Sequence, residues 1–464
     1  MVDLLRTGLS GLLASQRALA VASHNIANAN TAGYSRQRAA LTNNLPAFMG
    51  RHGTNSHYIG TGVNVQSVNR VYDDFLTRQT RGYNANVGQL ETMDQWISQL
   101  DGVVGNKDTG LAPAINQFFA AVQDAANSPA SLPARQALLG KAETLAARFQ
   151  EMNGQMNALR EGANQTLTQT VGEINTLTEN IAKINESIVR AQGSSGGAPP
   201  DLLDQRDQLV ADLARKAPIS TLAQADGTLS VFIGNGQPLV QGHEAIALET
   251  APSASSQGAL DVRVKQTGAV LTDSLHGGEI GGLLDFQSQV LAPAQNQLDA
   301  LAKGVAATFN AQHKLGKDLD RKTGENFFSA ATGAADFKVA ITDPRKFAAA
   351  TDDGTGNPAP GDNSNALKLV GLQTQKTIGG SSYQEAHSQM VAEVGTRGSA
   401  ASSSLTVQTA LLEQATQARD SVSGVNLDEE AANLMKYQQA YEAAAKVVQV
   451  GDSIMQTVLD MVRR

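Results

Sequence analysis

Apolar positions near the end of the chain recur every seven residues: Leu427, Leu434, Tyr441, Val448, Met455 and Val462. Ala431, Ala445 and Leu459 add a second column four places on. On an α-helix this is one continuous stripe, and a strict seven-residue repeat favours gentle supercoiling against another helix. Asn426 is placed to cap the first turn, Glu429 stands where it can reach back to the cap, and Asp428, Glu429 and Glu430 put negative charge at the positive helix end. A one-sided stripe needs a partner to bury it. The other end of the chain offers a weaker one, with Leu5, Leu12, Leu19 and Ile26 in a seven-residue column flanked by Leu9 and Leu13. Ala14, Ala18 and Ala22 mark a small-residue face where a second helix can approach closely. Gly8 and Gly11 each cost roughly 1 kcal/mol of helix propensity relative to alanine, so alone this helix is marginal.

Between these ends the texture is helix, strand, helix. Leu90, Ile97, Leu100 and Val104 predict a helix between Val87 and Val104, closed by Gly102, Gly105 and Gly110. Apolar residues spaced by three and four from Ala142 to Ile188 predict a helix of about 47 residues, roughly 70 Å long. Gly193 to Pro200 reads as a connection, and a further helix from Asp201 stops before Pro218. Short alternating runs follow at Thr228–Ile233, Leu239–Val240, Ile246–Leu248, Leu260–Val264 and Val270–Thr272, with a hairpin at Gly234-Asn235-Gly236. Helical spacing returns from Gly282 to Phe309. Lys314 to Gly361 reads as irregular with one strand near Phe337–Ile341, and helices fill Asn363 to Ser421. The expected fold is mainly α with inserted β: an elongated chain with a coiled-coil-like terminal domain, a helical rod and a small antiparallel β domain at the far end. The expected domains are residues 1–45 with 421–464 (terminal assembly), 46–216 with 276–313 and 362–420 (rod), 217–275 (antiparallel β) and 314–361 (irregular insertion with short strands).

Composition narrows the function. Of 464 residues only 4% are aromatic, with Trp96 the sole tryptophan, which suits Ala- and Leu-rich helix seams better than a compact enzyme core. A net charge of −8 with no polybasic run argues against nucleic-acid partners. No window of ~18 apolar residues is present, so no membrane insertion is expected, and the N-terminus lacks the layout of a cleavable secretory signal. There is no cysteine. The seven histidines (His24, His52, His57, His243, His276, His313, His387) are scattered without metal-ligand spacing. Asp352-Asp353-Gly354 reads as a turn, not a calcium loop, and no nucleophile elbow or dinucleotide loop appears. Asn164-Gln165-Thr166 and Asn185-Glu186-Ser187 match the glycosylation pattern but fall inside the long helix. No catalytic residue, cofactor or metal ligand is expected. A cell-wall or glycan hydrolase on a helical scaffold is the alternative from another class, and it lacks the convergent carboxylate pair such chemistry needs.

The N-terminal helix ends in Asn25-Ile26-Ala27-Asn28-Ala29-Asn30-Thr31-Ala32-Gly33-Tyr34-Ser35-Arg36. By physics alone this is equally an ordinary Asn-rich turn. It resembles the N-terminal signature of bacterial flagellar axial proteins, whose pattern more often has Pro where this chain has Ala32. Asn25, Asn28, Asn30, Gly33 and Tyr34 carry the match. Ile59-Gly60-Thr61-Gly62-Val63 is similar to a short glycine-flanked strand of the same proteins. Leu203-Asp204-Gln205-Arg206-Asp207-Gln208-Leu209, Asn235 to Val240, Gly277 to Phe286, Phe309 to His313 and Ser423 to Tyr441 resemble, more narrowly, the flagellar hook-associated protein 1 family. The chain is short for that family, which fits a missing or reduced outer β domain.

That resemblance implies an extracellular structural subunit joining hook to filament, with terminal helices lining the shaft. Leu5, Leu12, Leu19, Ile26, Leu427, Leu434, Tyr441, Val448, Met455 and Val462 would form the subunit interface. Implied partners are copies of itself, the hook protein, the next junction protein, an export chaperone on the C-terminal helix and the flagellar type III export apparatus. Hook-associated protein 3, hook and rod subunits are the near alternatives. The terminal ~40 residues at each end are expected to be disordered until assembly supplies partners.

Overall fold

The computed structural model describes residues 2–44, 47–52, 55–106, 110–195, 197–254, 258–351 and 361–463. The chain runs α1 (Val2–Ala27), β1 (Gln37–Asn43), β2 (Ala47–His52), β3 (Asn55–Ile59) and β4 (Val63–Arg70). The first helical run follows, with α2 (Asp74–Val104), α3 (Leu111–Asn127), α4 (Leu132–Ser195) and α5 (Pro200–Lys216). Next come β5 (Ile219–Ala223), β6 (Leu229–Ile233), β7 (Gln237–Gln241), β8 (Glu244–Ala245), β9 (Leu248–Pro252) and β10 (Leu260–Val264). A π-helical turn, Phe286–Leu291, joins α6 (Gly278–Asp285) to α7 (Ala292–His313). The two-residue strands β11 (Gly316–Lys317) and β12 (Ala350–Thr351), then α8 (Ser364–Gly371), α9 (Tyr383–Ser423) and α10 (Leu427–Arg463), complete it. At 1.5 Å per residue the 64-residue α4 is about 96 Å long, and the fold is mainly helical and elongated, as expected.

Several boundaries differ from expectation, each for a physical reason. α2 begins at Asp74 instead of Val87, because its first turns bury Thr77 and Thr80 and so show no apolar stripe. Asp73 starts it, its side chain accepting from Leu76 N at 3.0 Å. α3 was not anticipated: nine of its seventeen residues are buried, too many for one face to stand out. α4 starts ten residues before Ala142 and continues to Ser195, into the expected connection. Residues 47–70, assigned to the rod, include β2, β3 and β4, and residues 60–62 link β3 to β4 instead of forming a strand. β5 is an additional strand of the sheet β5-β6-β7-β8. Val270 makes only an isolated bridge to Arg263, and Thr272–Ser274 is a 3₁₀ turn. The strand expected near Phe337–Ile341 is reduced to one bridge, Phe328 to Val339. Asp352-Asp353-Gly354 lies outside the described residues.

The sheets β5-β6-β7-β8 and β9-β10 also sit elsewhere than at the far tip. They lie beside the second half of α4, held by asparagines on that helix. Asn175 pairs with both the N–H and the C=O of Leu248 (2.8 and 2.9 Å), and Asn185 does the same for Leu229 (3.1 and 2.9 Å). Asn164 donates to Gly258 O at 2.8 Å. The two glycosylation-like asparagines, Asn164 and Asn185, are thus buried docking residues. The far tip is built by the first half of α4 with α3, α8 and the 314–351 segment. That segment is irregular in backbone yet tightly packed. Phe118, Phe309, Phe327, Phe328, Phe337 and Phe347 are fully buried there, in ring contacts such as Phe309–Phe327 at 4.9 Å. Asn310 repeats the asparagine device, accepting from Phe327 N and Phe328 N and donating to Phe328 O.

His313 locks this tip to α7. Its Nδ1 donates to Glu325 O at 2.7 Å and its Nε2 accepts from Ala348 N at 2.9 Å, so both ring nitrogens are used by the neutral form. Burial, aided by Arg135, holds its pKa down at about 4. A folded pKa below the unfolded value means that the unfolded chain takes up the proton first. Stability is therefore full above pH ~6.5 and falls toward pH 4, by about 3 kcal/mol in all. Denaturant titrations between pH 7 and 4 should show this slope, and His313→Gln should flatten it; equal slopes for both proteins would exclude the mechanism.

Candidate assembly interface

The C-terminal stripe finds its partner within the chain. α1 and α10 run antiparallel, Gly8 facing Val447 and Val448, Gly11 facing Ala444, and Gly451 facing Leu5. A Cβ on Gly451 would stand 2.7 Å from Leu5 Cδ2, so the two backbones meet closely because these positions carry no side chain. Ala14, Ala18 and Ala22 continue the seam and are all buried. Both helices are formed in the single chain, where disorder was expected; the small-residue face supplies the missing partner.

The seam is rotated from the expected heptad face. Leu5, Leu12, Leu19 and Ile26 are only half-buried, as are Leu434, Val448 and Met455. Leu427 and Tyr441 are exposed, and the side chain of Val462 lies outside the described residues. Close approach along glycine and alanine draws the helices onto that face and leaves the larger residues at its flanks. The result is a second apolar surface facing solvent, with Val447, Val450, Ile454, Val458, Leu459 and Met461 on α10 and Leu4, Leu9 and Leu13 on α1. In the antiparallel pair both rows lie at the same end.

The opposite end of the pair is a polar joint built by the turn after α1. Asn25 is 1% exposed and saturated: it accepts from Gln37 N (2.9 Å) and from Tyr34 Oη (2.7 Å), and donates to Gln37 O (2.9 Å) and Glu430 Oε2 (3.1 Å). Tyr34's single proton is used there, so its 3.0 Å contact with His24 Nδ1 is accepted from a protonated nitrogen. Burial, then Asp201, Asp204 and Glu430, push the Tyr34 pKa up and keep it neutral. Asn28 donates to His24 O at 3.0 Å and so caps α1. Gly33 has φ +78°, and a Cβ there would lie 2.6 Å from Gln208 Oε1. Asn30 is exposed on the turn, and nothing in the structure explains its place in the motif.

Past the turn, Arg36 N donates to Ser423 O (2.8 Å) and Val71 N to Arg36 O (2.7 Å), which ties the ends of α9 and β4 together. Asn426 caps α10 as expected, accepting from the N–H groups of Asp428 and Glu429. The Glu429 carboxylate does not reach back to the cap; it pairs with the Arg36 guanidinium. Ser35 N binds Asp204 Oδ2 at 2.9 Å, and Arg70 bridges Asp204 and Asp207, the latter shared with Arg81. Burial pulls the Arg70 pKa down, but Asp207 and Asp204 outweigh it and the net direction is up. Arg70 and Arg81 were not singled out from sequence; Asp201 was read only as a helix start, Asp204 and Asp207 only as part of a family-like run, and Glu430 only as charge at a helix end. Three acids spaced by three on α5 were the available signal.

Among the described residues no three His, Asp or Glu side chains are arranged to hold a metal ion, and no helix is long and apolar enough to cross a membrane. A paired set of terminal helices with exposed apolar rows thus joins a helical rod through an elbow built by the turn motif. The family described as "Flagella basal body rod protein" matches residues 5–34, and "Flagellar basal body rod FlgEFG protein C-terminal" matches 416–461. These cover α1 with its motif and nearly all of α10: the class is the flagellar axial proteins.

The rod selects the member. "Flagellar hook-associated protein FlgK helical domain" matches residues 97–328. Flagellar hook-associated protein 1 of Salmonella typhimurium is 30% identical, with 99% of this chain and 100% of that protein covered. The Bacillus subtilis protein of the same name is 28% identical over 98% and 97% of the two chains. The chain belongs to the flagellar hook-associated protein 1 family, structural subunits of the bacterial flagellum at the hook–filament junction. The Salmonella alignment runs over 557 positions, more than this chain's 464 residues, so that relative carries segments this chain lacks. The flagellar hook junction protein of Burkholderia pseudomallei has the same fold, with a TM-score of 0.68 at 24% identity, covering 74% of this chain and all of that one.

Asn25→Ala should cost about 2–4 kcal/mol, because it strands the Gln37 backbone pair and the Glu430 carboxylate. Hydrogen exchange should show loss of protection at Gln37, with amides in the α3–α4 core unchanged; retained protection at Gln37 would show that the clamp does not hold the joint.

Proposed function

We infer that this chain is a non-enzymatic assembly subunit whose terminal pair joins copies of itself into the shaft. The observation that carries the reading is the solvent-facing apolar surface on α1 and α10. Exposed rows at helical spacing, six residues on α10 alone, call for burial against further helices. Copies related by rotation and rise meet through unlike faces and build an open tube, not a closed dimer. The assembly domain comprises residues 1–45 with 421–464, extended by the strands up to Arg70. The hook protein lies below and the next junction protein above. Before assembly the subunit leaves the cell through the flagellar type III export apparatus, with a chaperone covering the free row of α10. The sheets beside α4 face outward.

Deleting the gene should leave cells with hooks that shed filament protein unattached. Ile454→Asp, at an exposed position, should leave the rod folded yet reproduce that phenotype, as should Leu434→Asp at the half-buried flank. Electron microscopy of the cells and assay of filament protein in the medium check both. Normal filaments with Ile454→Asp would show that the free row is not an assembly face.

A further inference from the structure

The attachment of the terminal pair to the rod is polar. The continuous apolar core of the rod begins at Ile97 and ends at Ala401, and includes no residue of α1, β1–β4 or α10. One side chain of this joint faces the rod with an acceptor where the rod also offers an acceptor. His24, in the last turn of α1, is half-buried, and its neighbours fix its tautomer. Asn25 Oδ1 accepts from Gln37 N while Asn25 Nδ2 donates to Gln37 O, so that amide has one possible orientation. Tyr34 therefore gives its single proton to Asn25 Oδ1 at 2.7 Å, and its oxygen accepts from His24 Nδ1 at 3.0 Å. The neutral ring carries its proton on Nδ1 and keeps a lone pair at Nε2. That nitrogen stands 3.9 Å from Asp201 Oδ2 at the start of α5. The other oxygen, Asp201 Oδ1, accepts from Gln37 Nε2 at 2.7 Å.

The elements packed around His24 supply anions. A cleft of about 540 Å³ between the turn and the rod is lined by His24 and Tyr34, by Asp201 and Asp204 of α5, and by Ile184 of α4, with no Lys or Arg among its lining residues. From α10, Glu430 accepts from Asn25 Nδ2 at 3.1 Å. The cations of the joint are held elsewhere: Arg70 of β4 pairs with Asp204 and Asp207, and Arg36 with Glu429 and Glu430. Asp204 is further occupied by Ser35 N. Asp201 Oδ2 is thus the carboxylate oxygen placed to receive a new donor from α1.

We propose that His24 and Asp201 form a proton-operated latch between the terminal pair and the rod. A proton taken from solvent at Nε2 leaves the bond to Tyr34 in place and turns the lone pair into a donor. Imidazolium and carboxylate then close to a charge-assisted hydrogen bond of about 2.8 Å, which ties α1 to α5. The charged pair exists only in the docked joint. Its hold is full in mildly acidic solution and is lost as pH rises through the range where histidines give up their proton. The direction is opposite to that at the far tip, where acid works against buried His313.

Hydrogen exchange on the full chain reads the joint at the Ser35 amide, which donates across it to Asp204 Oδ2 at 2.9 Å. Corrected for intrinsic exchange, its protection should rise about two- to fivefold from about pH 8 to about pH 6, the scale of a part-exposed ion pair. Burial pushes the Asp204 carboxyl up, but its protonation would weaken the Ser35 bond and so cannot imitate the rise. His24→Asn keeps a donor for Tyr34 and removes Nε2; Asp201→Asn keeps the acceptor for Gln37 and removes the charge. Each should make Ser35 protection independent of pH over that window, with amides of the α3–α4 core still protected. The two side chains are 43% and 58% exposed, and where one variant disturbs folding the other still reads the latch. Protection in the native chain that is flat or falls on acidification, or a rise that survives either variant, overturns the proposal.

Discussion

An asparagine on a helix, buried or half-buried and paired with the backbone of a neighbouring strand or loop, is the interaction on which the non-helical parts depend. Asn25 holds Gln37, Asn175 holds Leu248, Asn185 holds Leu229 and Asn310 holds Phe327 and Phe328. An amide offers one donor and one acceptor at the spacing of a strand edge, so the helix acts as the missing strand. Buried backbone groups left unpaired would cost about 1–3 kcal/mol each, which makes these four positions intolerant of substitution. They attach β1, the two sheets beside α4 and the far tip to the helical frame.

The two halves of the molecule meet different physical demands. The rod is welded by a continuous apolar core with a phenylalanine cluster at its tip. The terminal pair is held together by glycine and alanine contacts and to the rod by ions. In each close contact of that seam one side is glycine or alanine, as where Gly8 meets Val448 and Gly451 meets Leu5, and much of the remaining apolar surface of both helices stays exposed. The same positions that weaken α1 as an isolated helix, Gly8 and Gly11, let α10 approach it.

Much of this was legible in the residues. Asn426 marked the start of α10 because a capping side chain is a local signal, and the Ala14-Ala18-Ala22 face announced a close helix contact before its partner was known. The first turns of α2 were not legible, since their inward residues are threonines. Nor was the position of the sheets: Asn164 and Asn185 matched only a glycosylation pattern inside a helix, and Asn175 carried no signal, because the strands they bind are distant in sequence. The joint was hidden for a further reason. Arg70 and Arg81 find their aspartates 134 and 126 residues away, and no periodicity links such distant charges.

The seam between α1 and α10 has a mechanical consequence for a structural subunit. Long side chains between two helices behave as soft springs, since each can change rotamer under load. Glycine and alanine have no rotamers to change. Load on one terminal helix therefore passes to the other through short contacts, each with glycine or alanine on at least one side, as in Gly8 against Val448, Gly11 against Ala444 and Gly451 against Leu5.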